Sequence, residues 1–534
     1  MASGVIMPDS PQKDRFVQER LPPRDQWPDI IPLMNVPLEG VLNCVSLLLD
    51  RHISAGHGAR PAVHGAGRTW SYDELNRHVC KLARVMVEKF GVEPGNRVLI
   101  RGGNSPELVM LWLAVQKTGA VAVTTMSLLR QAELAVIMEM AQPGLAVCEA
   151  ALLPDLVAAA GDVPIVSFEA GSGELFDLMA DAAPLEETCP TLLDDVSLIA
   201  FTSGTTGKPK ATIHFHRDVI AICETMGRHI VGPVADDVFI GTAPLAFTFG
   251  LGGVLVFPLY FGASSVLNPR YTPAQLLDAI DEYGASVCFT VPTFFQQMVK
   301  LKTGQSLATL RLAVSSGEAL PSPVRHGWFE ATGMKLAEVL GSTEMLHAFA
   351  GSAGAGVRDG FIGPAISGFQ LAILDDDGNS LPAGETGRLA VKGPTGCRYM
   401  NDELQQVYVQ GGWNITGDAC SMTSDGYVAY HARLDDMIIS SGYNVSGVEV
   451  ENALLLHSQV KECAVVGEPC EERGQIVSAY VVVIEQAGLD LAADLQAHVK
   501  QAIAPYKYPR KVTFVDALPR NESGKIQRFK LGNQ

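Results

Sequence analysis

Leu198-Ile-Ala-Phe-Thr-Ser-Gly-Thr-Thr-Gly-Lys-Pro-Lys210 is the stretch on which the reading of this chain turns. Its first four residues are apolar and read as a buried strand. The nine that follow, Thr202 to Lys210, are drawn only from Thr, Ser, Gly, Lys and Pro. Glycines let a backbone approach a phosphate closely, and hydroxyl and N–H groups then donate to its oxygens. A polar surface turn is the plainer explanation, and the run is too long and too uniform for it. It is not a Walker A loop: Gly204 and Gly207 stand too close, and no Ser or Thr follows Lys208. A dinucleotide fingerprint fails as well, because Gly354-Ala-Gly356 meets Asp359 where the third glycine belongs.

Outward from this loop, strand and helix signals alternate. Ser71 and Glu74 have capping-box spacing, Leu75, Val79, Leu82 and Met86 recur at helical period, and Gly91 offers a stop. Arg97 to Ile100 reads as a buried strand, and Ser105-Pro106 opens a helix that runs towards Gly119. Further strands fall at Ala285 to Val291 and Leu310 to Ser315. This rhythm predicts an α/β fold, with a large N-terminal domain of mixed and parallel sheets. Between 370 and 430, the short strands Gln370 to Leu374, Arg388 to Lys392 and Tyr427 to His431 predict a small antiparallel β unit. The end of the chain reads as a small α+β domain. It has helices at Glu449 to Leu456 and Leu489 to Ile503, and strands at Cys463 to Val466 and Ala479 to Ile484. The expected division is 1–434 and 435–534, near Arg433-Leu434-Asp435-Asp436.

Composition excludes several classes. With 534 residues, 47% hydrophobic and 18% charged, the chain is not intrinsically disordered. A formal charge of −18 argues against a general binder of nucleic acid or anionic membrane, so a phosphate must be held locally. The ten cysteines include no CxxC pair, which fits free thiols in a reducing compartment. No secretory signal is visible, and the apolar run Gly250 to Val266 is interrupted by Pro258, as a core segment is. A cytoplasmic protein, monomer or homodimer, is expected, with a basic tail from Lys507 onward.

Thr202 to Lys210 resembles the phosphate loop of the adenylate-forming superfamily of acyl-CoA synthetases, stand-alone adenylation domains and beetle luciferases. Other matches follow in the superfamily's order: Ser316-Gly317-Glu318-Ala319, Gly341-Ser342-Thr343-Glu344, Thr416-Gly417-Asp418, Arg433-Leu434-Asp435-Asp436 and Asn521-Glu522-Ser523-Gly524-Lys525. The resemblance implies activation of a carboxylate by ATP with Mg²⁺ to an acyl-adenylate, then transfer to a thiol, with coenzyme A as co-substrate. It implies nucleotide contacts from Thr202, Ser203, Gly204, Thr205, Thr206, Gly207, Lys210, Gly317, Glu318, Ala319, Glu338, Leu340, Gly341, Ser342, Thr343, Asp418, Arg433 and Lys525. Thr205, Glu344 and Lys525 would be catalytic, and Glu344 would hold the metal. The small domain would be mobile, rotating about Asp435 and bringing Ser441-Gly442-Tyr443 to the CoA channel.

Each group suits its role chemically. A carboxylate after a Gly-Ser-Thr turn can hold Mg²⁺ against phosphates, although it is also what a helix start prefers. Asp418 suits two ribose hydroxyls, or a turn of the Asx type. Arg433 is the second ribose contact or a linker salt bridge. A flexible ammonium at Lys525 can reach both the carboxylate and the α-phosphate.

Gly341 to His347 and Phe247 to Gly252 resemble benzoate-CoA ligases and their aminobenzoate relatives. Residues Arg20 to Arg24 and Leu42 to Cys44 resemble the 2-aminobenzoate branch. Glu344 and His347 are expected three apart on one helical face, with Phe247 and Phe249 as flat walls and Gly341, His347 and Ala348 completing a substrate site. Ala348 stands where such ligases tend to carry a larger aliphatic residue, leaving space beside the ring. A small aromatic carboxylic acid, benzoate or 2-aminobenzoate, is the expected substrate. Transfer to a carrier-protein phosphopantetheine, reaction of the adenylate with oxygen, and a non-catalytic nucleotide-binding scaffold remain the alternatives.

Departures from the superfamily pattern are Leu340 in place of an aromatic against adenine, Ala211 and Ala432 in place of glycines, and Tyr443 and Gly447 in the rotating loop. None removes a charged catalytic group.

Overall fold

The computed structural model describes residues 9–36, 40–203, 209–301, 304–401, 403–440, 443–470, 473–484, 488, 490–520 and 526–532. Two large sheets carry the N-terminal part. In one, six strands run in the order Ile165–Phe168, Leu145–Glu149, Arg97–Arg101, Val121–Thr125, Val196–Ser203 and Pro209–Phe215. All neighbours are parallel except the last two, which form an antiparallel hairpin. The other has eight strands, ordered Ala348–Gly351, Ala337–Gly341, Leu312–Ser315, Val287–Thr290, Val238–Gly241, Ser264–Val266, Pro61–Gly65 and Arg68–Ser71.

Parallel strands covered on both faces read as unbroken apolar runs, and Arg97–Arg101 is buried at every position. The helix Pro106–Lys117 touches strands of both sheets, and Tyr72–Phe90 packs on it and on the strands Pro61–Gly65 and Arg68–Ser71. Both start as their sequences predict. Ser71 and Glu74 form the reciprocal capping box, and the Ser105 side chain accepts from the Leu108 N–H. Every residue of Pro106–Lys117 is buried, Glu107, Gln116 and Lys117 included, so this helix is enclosed on all sides instead of presenting one face to water. The run from 250 to 266 is core, and among the described residues no helix is long and apolar enough to cross a membrane.

A five-stranded antiparallel sheet follows, built from Gln370–Leu374, Thr386–Lys392, Val409–Gln410, Trp413–Met422 and Val428–Arg433. The C-terminal sheet starts at Ile438–Ser440. Its long hairpin Val460–Cys470/Gly474–Val483 is flanked by Ile438–Ser440, which in turn pairs with Tyr443–Val445, and by Lys511–Phe514, and it packs on the helices Gly447–Leu455 and Leu491–Ala502. All ten cysteines are free.

One connection matters for the site. Residues 398–400 run beside the strand Pro209–Phe215: the Ile213 N–H donates to the Arg398 carbonyl at 2.8 Å, and the Met400 N–H to the Ala211 carbonyl at 2.9 Å. Two segments far apart in sequence thus meet directly below the glycine-rich loop.

Candidate active site

The hairpin presents that loop at its tip, with Thr202 opposite Lys210 and Ser203 opposite Pro209. Gly204, Thr205, Thr206 and Gly207 lie outside the described residues, as do Ser441, Gly442 and Lys525. Ser203, Asp435 and Tyr443 are described through their backbone alone. The Lys210 ammonium stands 5.3 Å from the centre of the Tyr399 ring.

Glu344 sits beside this pair, and here the structure corrects the sequence reading. No helix follows Gly341-Ser342-Thr343. The chain turns between Ala337–Gly341 and Ala348–Gly351, which pair antiparallel. Leu346 takes a φ of +64°, a left-handed conformation that stops helical winding, and its N–H donates to the Thr343 carbonyl at 3.0 Å. Glu344 and His347 therefore do not share a helical face. The Glu344 Oε1 accepts from the Tyr399 hydroxyl at 2.6 Å, and among the described residues Oε2 accepts nothing. Ser342 Oγ lies 3.3 Å from the Tyr408 hydroxyl. Burial, reinforced by the Glu344 charge, pushes both phenols far above their ordinary range, so each keeps its proton.

Asp418 is also not in an isolated turn. It lies within the strand Trp413–Met422, directly across from Arg433, and Arg433 Nη1 reaches its Oδ1 at 2.8 Å. Burial raises the Asp418 carboxyl, with Glu344 adding to the effect; against the same burial, Asp418 keeps Arg433 firmly protonated. Glu344, Tyr408, Asp418 and Arg433 thus lie within each other's electrostatic reach.

On the other side, Gly317 takes a φ of +92°, and Ser316 Oγ donates to the Val339 carbonyl at 3.0 Å. Glu318 comes within 3.7 Å of Arg520. The Glu338 carboxylate turns inward, accepting from Arg325 at 2.5 Å and from the Leu320 N–H at 3.1 Å. Leu340 packs, half-buried, on the main core.

The expected ring pocket is an aromatic cluster. His347 is 2% exposed, with ring centres of Phe257, Phe249 and Phe289 at 4.8, 5.7 and 6.5 Å. Among the described residues neither imidazole nitrogen makes a hydrogen bond of good geometry; burial lowers the pKa to about 3, only partly offset by the nearby Phe249 backbone, so the ring is neutral at neutral pH. Phe247 is half-buried at the start of the helix Thr248–Leu251. Ala348 is 3% exposed and faces Gly341, where a Cβ would fall 2.7 Å from the Ala348 Cα.

Sequence reasoning missed Tyr399, Tyr408, Phe257 and Phe289. The two phenylalanines carry a visible signal, since Phe257 lies in the apolar run Gly250 to Val266 and Phe289 in the strand read at Ala285 to Val291. The tyrosines carry none, because their segment matches no periodic pattern.

The family models and relatives that match this chain make it an AMP-forming acid–thiol (CoA) ligase. Residues 50–399 match the AMP-binding enzyme family and residues 449–525 its C-terminal domain, and the chain belongs to this family. It is similar to the benzoate–CoA ligase of Thauera aromatica, 35% identical over 502 residues, covering 92% of this chain and 95% of the relative. It is also similar to the 4-hydroxybenzoate–CoA/benzoate–CoA ligase of Rhodopseudomonas palustris, 32% identical over 502 residues, with 90% and 92% covered. Among solved structures, the anthranilate CoA ligase AuaEII in complex with anthranoyl-AMP superposes with a TM-score of 0.87 at 31% identity, covering 93% of this chain and 97% of that one.

Proposed function

We propose that the chain is an aryl-CoA ligase acting on benzoate or 2-aminobenzoate. The observation that carries this reading is the buried, neutral His347 set among Phe249, Phe257 and Phe289. A flat apolar enclosure with one polar ring suits an aromatic acid better than a flexible alkyl chain. The names of the relatives point the same way.

In the first half-reaction, a substrate carboxylate oxygen attacks the α-phosphorus of ATP, the bond to the bridging oxygen breaks, and pyrophosphate leaves. The glycine-rich loop with Thr205 and Lys210 would bind phosphates, Asp418 and Arg433 the ribose, and residues 317–319 and 338–343 the rest of the nucleotide. A hard carboxylate with one oxygen uncommitted among the described residues fits Mg²⁺, and Glu344 would hold it. When bound, the cation neutralises phosphate charge as pyrophosphate departs. Lys525 would steady the pentacovalent phosphorus. In the second half-reaction, a CoA thiolate attacks the acyl carbonyl and AMP leaves, with residues 435–534 turned about Asp435 to bring Ser441, Gly442 and Tyr443 to the thiol.

The test is pyrophosphate release from ATP and Mg²⁺ across benzoate, 2-aminobenzoate, halobenzoates, cyclohexanecarboxylate and octanoate, each with and without CoA. Fast turnover on an aryl acid that requires CoA is expected. A preference for octanoate, or adenylation that CoA does not accelerate, refutes the proposal.

A further inference from the structure

The Ser342–Leu346 turn is conformationally costly. A left-handed leucine stores about 1–3 kcal/mol and persists only where its surroundings over-determine it. Leu346 is fully buried, and the turn is held from several sides. Thr395 Oγ1 donates to the Met345 carbonyl at 2.8 Å, and Ser342 Oγ accepts from the Met345 N–H at 3.3 Å.

The remaining tie comes from the strand below the glycine-rich loop. His214, whose side chain is 0% exposed, places Nε2 2.8 Å from the Thr343 carbonyl. A carbonyl oxygen only accepts, so Nε2 carries the proton. Nδ1 lies 3.7 Å from Asp218 Oδ2, and the fully buried Arg398 donates to that same oxygen at 3.0 Å. Arg398 adjoins Tyr399, which holds Glu344. The contacts close a ring: Thr343, His214, Asp218, Arg398, Tyr399, Glu344. Burial alone would raise the Asp218 carboxyl; Arg398, His214 and Arg217 more than reverse this and hold it below the usual carboxylate range.

We propose that His214 is a positioning residue for adenylation: its Nε2–H fixes the Thr343 carbonyl and so holds the turn in the shape that presents Glu344 to the nucleotide. This rests on the assignment of Glu344 to the nucleotide site. It does not depend on which acid is the substrate. In this assignment Thr343 and Glu344 face the nucleotide and His214 does not, so the effect of His214 is transmitted through the turn.

The test compares His214→Gln with His214→Asn. A glutamine amide nitrogen reaches about as far as Nε2; an asparagine stops near Nδ1 and leaves the carbonyl unpaired. ATP–pyrophosphate exchange is measured with whichever acid the wild type adenylates. CoA transfer from supplied acyl-adenylate, melting temperature, and Mn²⁺ binding with a non-hydrolysable ATP analogue (by electron paramagnetic resonance) complete the set. The Asn variant is expected to lose about tenfold in exchange and to bind Mn²⁺ more weakly, while CoA transfer and the KM of the acid stay within about twofold. The Gln variant should recover exchange to within about threefold of wild type. Equal exchange in the two variants, or parallel loss of both half-reactions, overturns the proposal. So does a Gln variant that fails to fold or that folds and still loses tenfold. Failure of every aryl acid with the wild type refutes the aryl-CoA assignment instead, and leaves this comparison intact.

Discussion

Gly252→Ala tests the aromatic enclosure with one methyl group. A Cβ at this position would lie 2.4 Å from His347 Cδ2, 2.7 Å from Nε2 and 3.1 Å from Phe257 Cζ. Carbon atoms in contact ordinarily stand about 3.5–4.0 Å apart, so the methyl group overlaps the imidazole by more than an ångström. The imidazole has little room to yield, because Phe257 lies edge-on at 4.8 Å and Phe249 at 5.7 Å. It must tip into the space that the proposal gives to the substrate ring. Overpacking of this kind costs about 1–3 kcal/mol, which corresponds to roughly 5- to 150-fold in affinity. The expected result is a rise of that size in the KM of the aryl acid, with the KM of ATP within about twofold of wild type. Steady-state pyrophosphate release with each substrate varied in turn measures both, and a melting curve confirms the fold. A folded Gly252→Ala protein with an unchanged KM for the acid would refute the placement of His347 against the substrate.

Ala348→Ile adds three carbons at a position only 3% exposed, and is expected to depress turnover of 2-aminobenzoate more than that of benzoate. Equal loss of the two activities would show that residue 348 does not read the ring substituent. Tyr399→Phe removes a 2.6 Å hydrogen bond to the Glu344 carboxylate, a bond of a type worth about 1.5–3 kcal/mol. Exchange should fall about 10- to 100-fold while CoA transfer from supplied adenylate holds; a parallel fall in both half-reactions would argue against this role. Arg398→Met leaves Asp218 buried without its guanidinium and should cost about 3–5 kcal/mol in urea unfolding at pH 7. Because the folded-state pKa of Asp218 is depressed, its stabilisation is complete above about pH 4 and is lost as pH falls through the folded value. The deficit of the variant should therefore shrink towards pH 3.

The strand leading into the glycine-rich loop was legible in sequence because an apolar run followed by small polar residues is a local pattern; the returning strand Pro209–Phe215, which makes it a hairpin, was not read. The Ser71–Glu74 capping box and the parallel strands were legible for the same reason. The Ser342–Leu346 turn was not. Gly-Ser-Thr-Glu has the residues of a helix start, and local propensity favours that reading. What prevails is pairing of Ala348–Gly351 with Ala337–Gly341 and the left-handed Leu346, both set by tertiary contacts. Asp418 looked like a turn residue because Gly417 precedes it. That glycine, with a φ of +76°, lies inside a strand whose pairing with Thr386–Lys392 shifts register between Ile415 and Ala419. The Arg398–Asp218 pair spans 180 residues of sequence, and a lone arginine in Thr395 to Met400 gives no hint of its partner.

The segment 398–400 has a consequence for the architecture as a whole. Pro209–Phe215 is the outermost member of its sheet, and an outermost strand ordinarily exposes a row of unpaired N–H and C=O groups on which another chain can nucleate. Here the Arg398 carbonyl and Met400 N–H cap that row at Ile213 and Ala211, so the sheet is sealed where the glycine-rich loop begins. The amides of Ile213 and Met400 are therefore expected in the slowest-exchanging class of hydrogens, released only when the sheet itself opens. The loop proposed to admit and release a nucleotide is thus rooted in backbone that is hydrogen-bonded on both sides.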